Sequence, residues 1–393
     1  MAASAPAPTP APLRPVPDDP DRQETFLPAP TAQAHAANLM PLADGSLGCA
    51  WFGGTQEGMP DIHIWFSKLG ADGAWTDPVR VTSDTERSEQ NPVLFPTPDG
   101  ELWLIHTAQV AGNQDTAEVR VTVSRDDGAT WSPARTLVPA SAEGGVFVRH
   151  PVHVMDSGRW LLPVFHCPRP AVGRWRGDED TSAVLSSDDK GATWQHHAVP
   201  YSTGCVHMNI VPLDDGTLLA LFRRRQADTI HLSRSADGVT WTEPVPTELP
   251  NNNSSIQVTA LRDGRLVVAH NASSAADATA RRTSLYDEIH DDGGLAGSGT
   301  PGPEQPAGVA FWGAPRAPMT LALSEDGGHT WPHRRDVETG DGYCLTNNSR
   351  EGLNRELSYP SLTQTADGAL HLAYTHHRRA IKHVRVTPRW ITS

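Results

Sequence analysis

The sequence predicts an all-β fold, a six-bladed β-propeller of four-stranded antiparallel blades. Three observations carry the prediction. A tight turn followed by an apolar strand recurs six times along the chain. A second, Trp-ending turn alternates with it, and helical periodicity is nearly absent between the two.

The first mark reads ADGSLGCAW around Gly45, PDGELWLIH around Gly100, DSGRWLLPVF around Gly158, DDGTLLALF around Gly216, RDGRLVVAH around Gly264 and ADGALHLAY around Gly368. Each Gly supplies the positive φ that a hairpin turn needs. The steps between them are 55, 58, 58, 48 and 104 residues. The second mark, Ser-x-Asp-x-Gly-x-Thr-Trp, is complete at 124–131, 187–194 and 324–331, shortened at 235–241 and worn at 67–75. Its Ser and Asp cap turn amides, its Gly permits the bend, and its Trp is expected to plug the gap between neighbouring blades. Turn and box alternate through five units, so each unit holds two hairpins, the content of a propeller blade. The sixth turn is followed by one strand, IKHVRVT, and residues 24–27 are expected to supply the missing fourth strand and close the ring.

The long last step places an insertion at about 273–310, rich in Gly, Ala, Asp and Pro. The Pro/Ala-rich residues 1–22 predict a disordered arm ahead of a single propeller over 23–393. A net charge of −14 argues against a nucleic-acid or anionic-membrane partner, and no apolar run reaches the length of a membrane span. The N-terminus lacks the basic start and apolar core of a secretory signal, which predicts a cytoplasmic protein. The four cysteines, Cys49, Cys167, Cys205 and Cys344, show no metal spacing and read as free buried thiols. No HxH or HExxH spacing occurs, so neither a metal nor a cofactor is expected.

Equal register in equivalent blades means equal height on a propeller. The residue nine before each turn Gly is Ala36 (with His35 beside it), Asn91, Arg149, His207, Ser255 and Tyr359. The residue seven after it is Phe52, Thr107, Phe165, Arg223, Asn271 and Thr375. Polar groups thus gather at one end of strands whose middles are apolar, and burial alone is a costly explanation for them. Some have structural alternatives. Arg149 and His150 would also serve as hydrogen-bonders between blades, and Arg224 and Arg225 are expected to face solvent. Glu57, Asp61, Glu86 and Glu89 are balanced between the two roles. Glu356 would tune Tyr359 or pair with Arg355.

The Trp-ending turns are Asp-boxes, or BNR repeats, and with the six inner hairpins the chain resembles the sialidase superfamily over about 34–386. The segments AWFGGTQEGMPDIHIW, NPVLF, ELPNNNSSIQ (ending at Ile256 and Gln257) and SYPSLTQTADGALHLAYTHHRRAIKHV resemble its sialidase-like BNR branch. The resemblance implies that Tyr359 takes the place of the family's nucleophilic Tyr, and Arg223 and Arg316 those of two of its three carboxylate-binding arginines. His35 stands where the first arginine is usual, and His207 where a Glu usually activates the Tyr. Glu57 or Asp61 would stand in for the acid/base Asp.

Arg223 and Arg316, with Arg149 or Arg378, form a clamp matched to a carboxylate. Asn91, His150 and Gln257 join the substrate-binding candidates. The expected partner is a small molecule or oligosaccharide carrying a carboxylate, such as a sialic or uronic acid. Two mechanisms compete. In β-elimination from a uronate, His207 or His35 is the base, Tyr359 the acid and the arginines hold the developing charge; some sialidase-like propellers are uronate lyases of this kind. In hydrolysis, Tyr359 is the nucleophile and Glu57 or Asp61 the acid/base. Elimination is the first reading and hydrolysis the second. A glycan-binding or repurposed propeller without this chemistry is the third.

Overall fold

A computed structural model describes residues 10–289, 308–348 and 351–393. Six antiparallel sheets form the six blades of a propeller. Blade one is Gln33–Pro41, Leu47–Gly54, His63–Leu69 and Val79–Arg80, and blade two is Arg87–Pro96, Leu102–Val110, Glu118–Ser124 and Arg135–Val138. Blade three is Gly144–Val148 with His153–Val154, then Trp160–Pro168, Thr181–Ser187 and Gln195–Ala198. Blade four is Cys205–Pro212, Leu218–Arg224, Thr229–Ser235 and Val245–Pro250. Blade five is Gln257–Ala260, Leu266–Asn271, Met319–Ser324 and His333–Glu338. Blade six is Leu357–Gln364, Leu370–His376 and Ala380–Val386. The α-helix Pro388–Thr392 ends the chain, and among the described residues no helix is long and apolar enough to cross a membrane.

Asp19–Phe26 pairs with Ala380–Val386 and supplies the fourth strand of blade six, so the N-terminal segment closes the ring. The expected arm over 1–22 is therefore shorter than its composition suggests. Arg14–Val16 adds a fifth strand through pairs such as Arg14 with Glu24, and residues 1–9 lie outside the described residues. Proline did not prevent this because the pairing is at an edge, where a missing N–H costs no ladder bond. The insertion separates Leu266–Asn271 from Met319–Ser324, so it runs longer than 273–310; its residues 290–307 lie outside the described ones.

The boxes cap their own turns. In blade two, the Ser124 hydroxyl accepts from Gly128 N at 2.8 Å, and Asp126 accepts from Thr130 N at 2.8 Å and Thr130 Oγ1 at 2.6 Å. The box Trp packs on the preceding blade. Trp131 meets Phe66 of blade one edge-on at 5.5 Å, and Trp75 meets His383 of blade six at 5.3 Å. Trp241 packs with Leu161 and Val184 of blade three, and Trp331 with Leu219 and Leu221 of blade four. The four cysteines are buried and free.

Candidate active site

Each inner strand begins at one end of the central channel and runs to its Gly turn at the other. In blades one, two, four and six it breaks register once, between His35 and Asn38, Gln90 and Val93, Val206 and Asn209, and Ser358 and Ser361. Inside these breaks, Ala36, Asn91, His207 and Tyr359 take left-handed φ of 59°, 49°, 52° and 51°. These are the register positions nine before the turn Gly. A bulge re-aims the side chain it carries, and a left-handed conformation is costly for a residue with a side chain. Arg149 and Ser255, the same positions in blades three and five, do not share it.

Tyr359 is the centre of the cluster. Its hydroxyl lies 2.7 Å from Arg223 Nη1, and Arg223 Nε donates to Asn253 at 2.8 Å. The guanidiniums of Arg149, Arg223 and Arg316 stand 5.3, 5.6 and 5.7 Å from the Tyr359 ring. His35 packs on the ring at 4.3 Å and His207 at 5.7 Å. His207 Nδ1 lies 3.1 Å from Ser255 Oγ, and His35 Nδ1 2.8 Å from Thr375 Oγ1. Burial, reinforced by Arg223 and Arg225, pushes His207 well below the usual histidine value; burial and Arg378 do the same to His35, and burial and Arg149 to His150. All three rings are neutral at pH 7.

Glu356 holds the arginines. It accepts from Arg316 Nη1 at 3.1 Å and Ser358 Oγ at 2.5 Å, and it pairs with Arg378 Nε at 3.1 Å. Arg378 also pairs with Glu57. Its inward aim comes from the turn, where His377 and Arg378 both take φ of 54°. Burial opposes the charge of Glu356, but Arg316 and Arg378 outweigh it and hold the carboxyl well below the usual range. Arg355 pairs with Asp341 instead. Four guanidiniums (Arg149, Arg223, Arg316, Arg378) thus face two carboxylates (Glu57, Glu356), leaving two positive charges uncompensated. Burial lowers Arg223 to about 9 and Arg149 to about 10, and both remain cationic at pH 7.

Several candidates sit elsewhere or are already engaged. Arg149 donates to the carbonyls of Ala36, Ala37, Tyr359 and Pro360 and to Ser255 Oγ. It pins four blades together beneath Tyr359 and is not free to clamp a substrate. Gln257 lines a cavity of about 200 Å³ with Asn209, Val211 and Thr363, further along the inner strands toward their Gly turns, and donates to Leu362 O. Asp61 is exposed and caps its own loop through Thr55 N and Oγ1. Glu57 is buried against Arg378. Glu86 is exposed, and Glu89 lies between His63 and His106 at 3.1 and 3.3 Å. His150 is buried 6.3 Å from the His207 ring with neither nitrogen hydrogen-bonded.

Part of the polar ring is stitching between blades. Thr107 Oγ1 accepts from Val148 N, Thr375 Oγ1 from Ala36 N, and Asn271 donates to Leu357 O. Burial with partners accounts for these three, contrary to the expectation that it would not. Arg225 is also buried, at 1% exposure, because strand alternation puts it on the same face as Arg223. The flanks of the insertion complete the mouth. Tyr286 accepts from Gln109 and Gln114, Glu288 from Asn347 N, and Trp312 donates to Arg176 O. Sequence periodicity gave no signal for Trp312, Tyr286 or Glu288, which lie in a segment without one.

A model of the BNR repeat-like domain matches residues 45–372, most of the chain. The chain belongs to the BNR repeat-like family. No curated protein is a significant match to it. Among solved structures, this BNR-repeat propeller superposes on the Hadza microbial sialidase Hz136 with a TM-score of 0.66 at 16% identity, over 92% of this chain and 67% of that one. A Dyadobacter fermentans protein of unknown function gives 0.65 at 16%, over 92% and 97%. The intramolecular trans-sialidase of Ruminococcus gnavus, solved with oseltamivir carboxylate, gives 0.63 at 14%, over 94% and 97%. At these identities the BNR-repeat propeller shares a fold with them, the sialidase-like one.

Proposed function

We propose that the protein is a carbohydrate-active enzyme cleaving an acidic sugar, by β-elimination from a uronate. One observation carries this reading. The Tyr359 hydroxyl lies against Arg223 with neutral His207 and His35 on its flanks, while both carboxylic acids that hydrolysis would use are engaged elsewhere. The two excess positive charges suit a carboxylate ligand. Arg223 Nη2 is buried without a hydrogen-bond partner, a position a carboxylate oxygen would fill.

In the proposed step His207 takes the proton beside the carboxylate, and that electron pair forms the new C=C bond. The glycosidic C–O bond breaks, and the leaving oxygen takes the Tyr359 proton. Arg223 steadies the resulting phenolate, and the guanidinium clamp holds the enolate charge. Hydrolysis needs a protonated acid near the leaving oxygen. Glu57 is taken up by its ion pair with Arg378, and Asp61 by the amide and hydroxyl of Thr55 in its own loop.

Rhamnosyl-glucuronate and related uronate oligosaccharides test the reading. Growth of the ultraviolet band of the conjugated, unsaturated uronate is the expected result. Release of a sialoside aglycone without that band would replace elimination with hydrolysis. Silence in both assays, with binding by calorimetry, would leave a glycan-binding propeller.

A further inference from the structure

Arg225 is a buried cation beside the site that pairs with a carboxylate of its own, Asp180. Its Nε and Nη2 donate to one oxygen of Asp180 at 3.0 and 2.6 Å, and the other oxygen accepts from the Trp175 indole at 2.8 Å. The rings of Phe165, Trp175 and Trp312 stand 5.7, 5.3 and 5.1 Å from its guanidinium. A buried ion pair is weak as a source of stability, because apolar residues fill the same space as well or better. Its placement between two functional regions accounts for it better.

Two of the three rings lead away from Arg225. Phe165 lies 5.0 Å from the ring of His207. Trp312 belongs to the insertion, and Arg223 also stands over it at 5.7 Å, so one indole is shared by two guanidiniums. The main chain adds a direct tie, because Phe311 N donates to Arg225 O at 2.7 Å. Blade three (Phe165, Trp175, Asp180), blade four (Arg225) and the insertion (Phe311, Trp312) therefore meet on this one side chain.

We propose that Arg225, held by Asp180, is a positioning residue that couples the seating of the Phe311–Trp312 flank of the insertion to the state of His207. Phe165 transmits the packing, and the guanidinium charge behind it adds to burial and Arg223 in keeping the imidazole neutral. The charged and titratable groups around His207 are Arg223, Arg225, Arg149 and His150, with the hydroxyls of Tyr359 and Ser255; Asp180 reaches it across Arg225. Removal of the Arg225 charge takes away one cation and leaves Asp180 uncompensated, and both changes favour imidazolium. The catalytic consequence rests on His207 being the base of the proposed reaction. The titration itself does not.

Histidine ring NMR titration of the full chain tests this, with the His207 signal assigned by its loss in His207→Gln. In Arg225→Gln, which still donates to Asp180, the His207 midpoint should rise by about one pH unit or more, and in Arg225→Lys it should stay at the wild-type value. The acid limb of the elimination rate should move with it. An unchanged midpoint in folded Arg225→Gln overturns the coupling. If that variant does not fold, Trp312→Ala decides: solvent then reaches Arg225, a raised midpoint supports the coupling, and an unchanged one overturns it. Absence of unsaturated product from the wild type would sink the elimination reading alone, since the midpoint is read without substrate.

Discussion

The two ends of this propeller are built from the same repeat and use polar residues in opposite ways. At the Gly-turn end, the Ser, Asp and Thr of each box answer one another: Ser324 accepts from Gly328 N, and Asp326 from Thr330 N and Thr330 Oγ1. At the mouth, Arg223 Nη2, His35 Nε2 and both nitrogens of His150 are buried without hydrogen-bond partners. The Ser, Asp and Thr of these turns satisfy one another, and the unpaired groups left there are the indole N–H groups of Trp194 and Trp331. The mouth is complete only with something added, because buried unpaired polar groups cost free energy that a fold has no reason to bear. Repetition alone therefore does not distinguish scaffold from site; unpaired guanidinium and imidazole nitrogens do.

Tyr359→Phe strains this contrast hardest. It removes one oxygen from the mouth and leaves the ring that His35, His207 and three arginines pack against. Turnover of a uronate substrate should fall by about a hundred- to ten-thousand-fold, with the urea midpoint little changed. His207→Ala should also abolish turnover. Full activity in both variants would place the chemistry elsewhere. Glu356→Gln comes next. It removes the shared partner of Arg316 and Arg378 and should cost about 3–5 kcal/mol of stability in urea titrations, the penalty for breaking a buried ion pair. A loss below 1 kcal/mol would mean the mouth does not depend on this carboxylate.

What could be read from the sequence follows from the same contrast. The Gly turns and boxes act over eight or nine residues, so their spacing displays the blades directly. Register put His207 and Tyr359 at one height, and the structure brings their rings together there because the bulge recurs at that height in four blades. It gave no sign that Arg149, whose blade lacks the bulge, would meet carbonyls in two other blades and the Ser255 hydroxyl of a third. It missed Asp180, Trp175 and Trp312, since contacts such as Trp312 with Arg225 join residues 87 apart through a segment with no period. Arg225 was within reach: it is two residues beyond Arg223, and strand alternation alone turns it inward. The direction of a strand's side chains is legible, but the partner waiting there is not when it comes from an irregular loop.

Acid should weaken the propeller through both ends at once. Folding holds His35, His150, His207 and His383 well below 6.5, and His270 and His371 near 4. Their folded values are depressed, so between those values and about 6.5 the unfolded chain binds more protons than the native one. Stability is then full above about 6.5 and falls as pH drops, by at most about 1.4 kcal/mol per pH unit for each such histidine. Glu356, also depressed, extends the loss below about 4.5. Thermal melts between pH 8 and pH 4 should show a fall beginning near 6.5. A flat profile down to pH 5 would mean these rings are protonated in the fold as readily as out of it.

The smallest expected effect lies at the scaffold end. Ser324→Ala deletes a buried hydroxyl that accepts from Gly328 N and donates to Asp326. It should cost about 1–2 kcal/mol in urea titration, one hydrogen bond and one orphaned amide. Trp331 remains packed on blade four and Asp326 still caps Thr330, so blade five keeps its place in the ring. Turnover and the His207 titration should match the wild type, because no group at the mouth loses a partner. A change in either would tie the box turns to the chemistry and erase the division between the two ends.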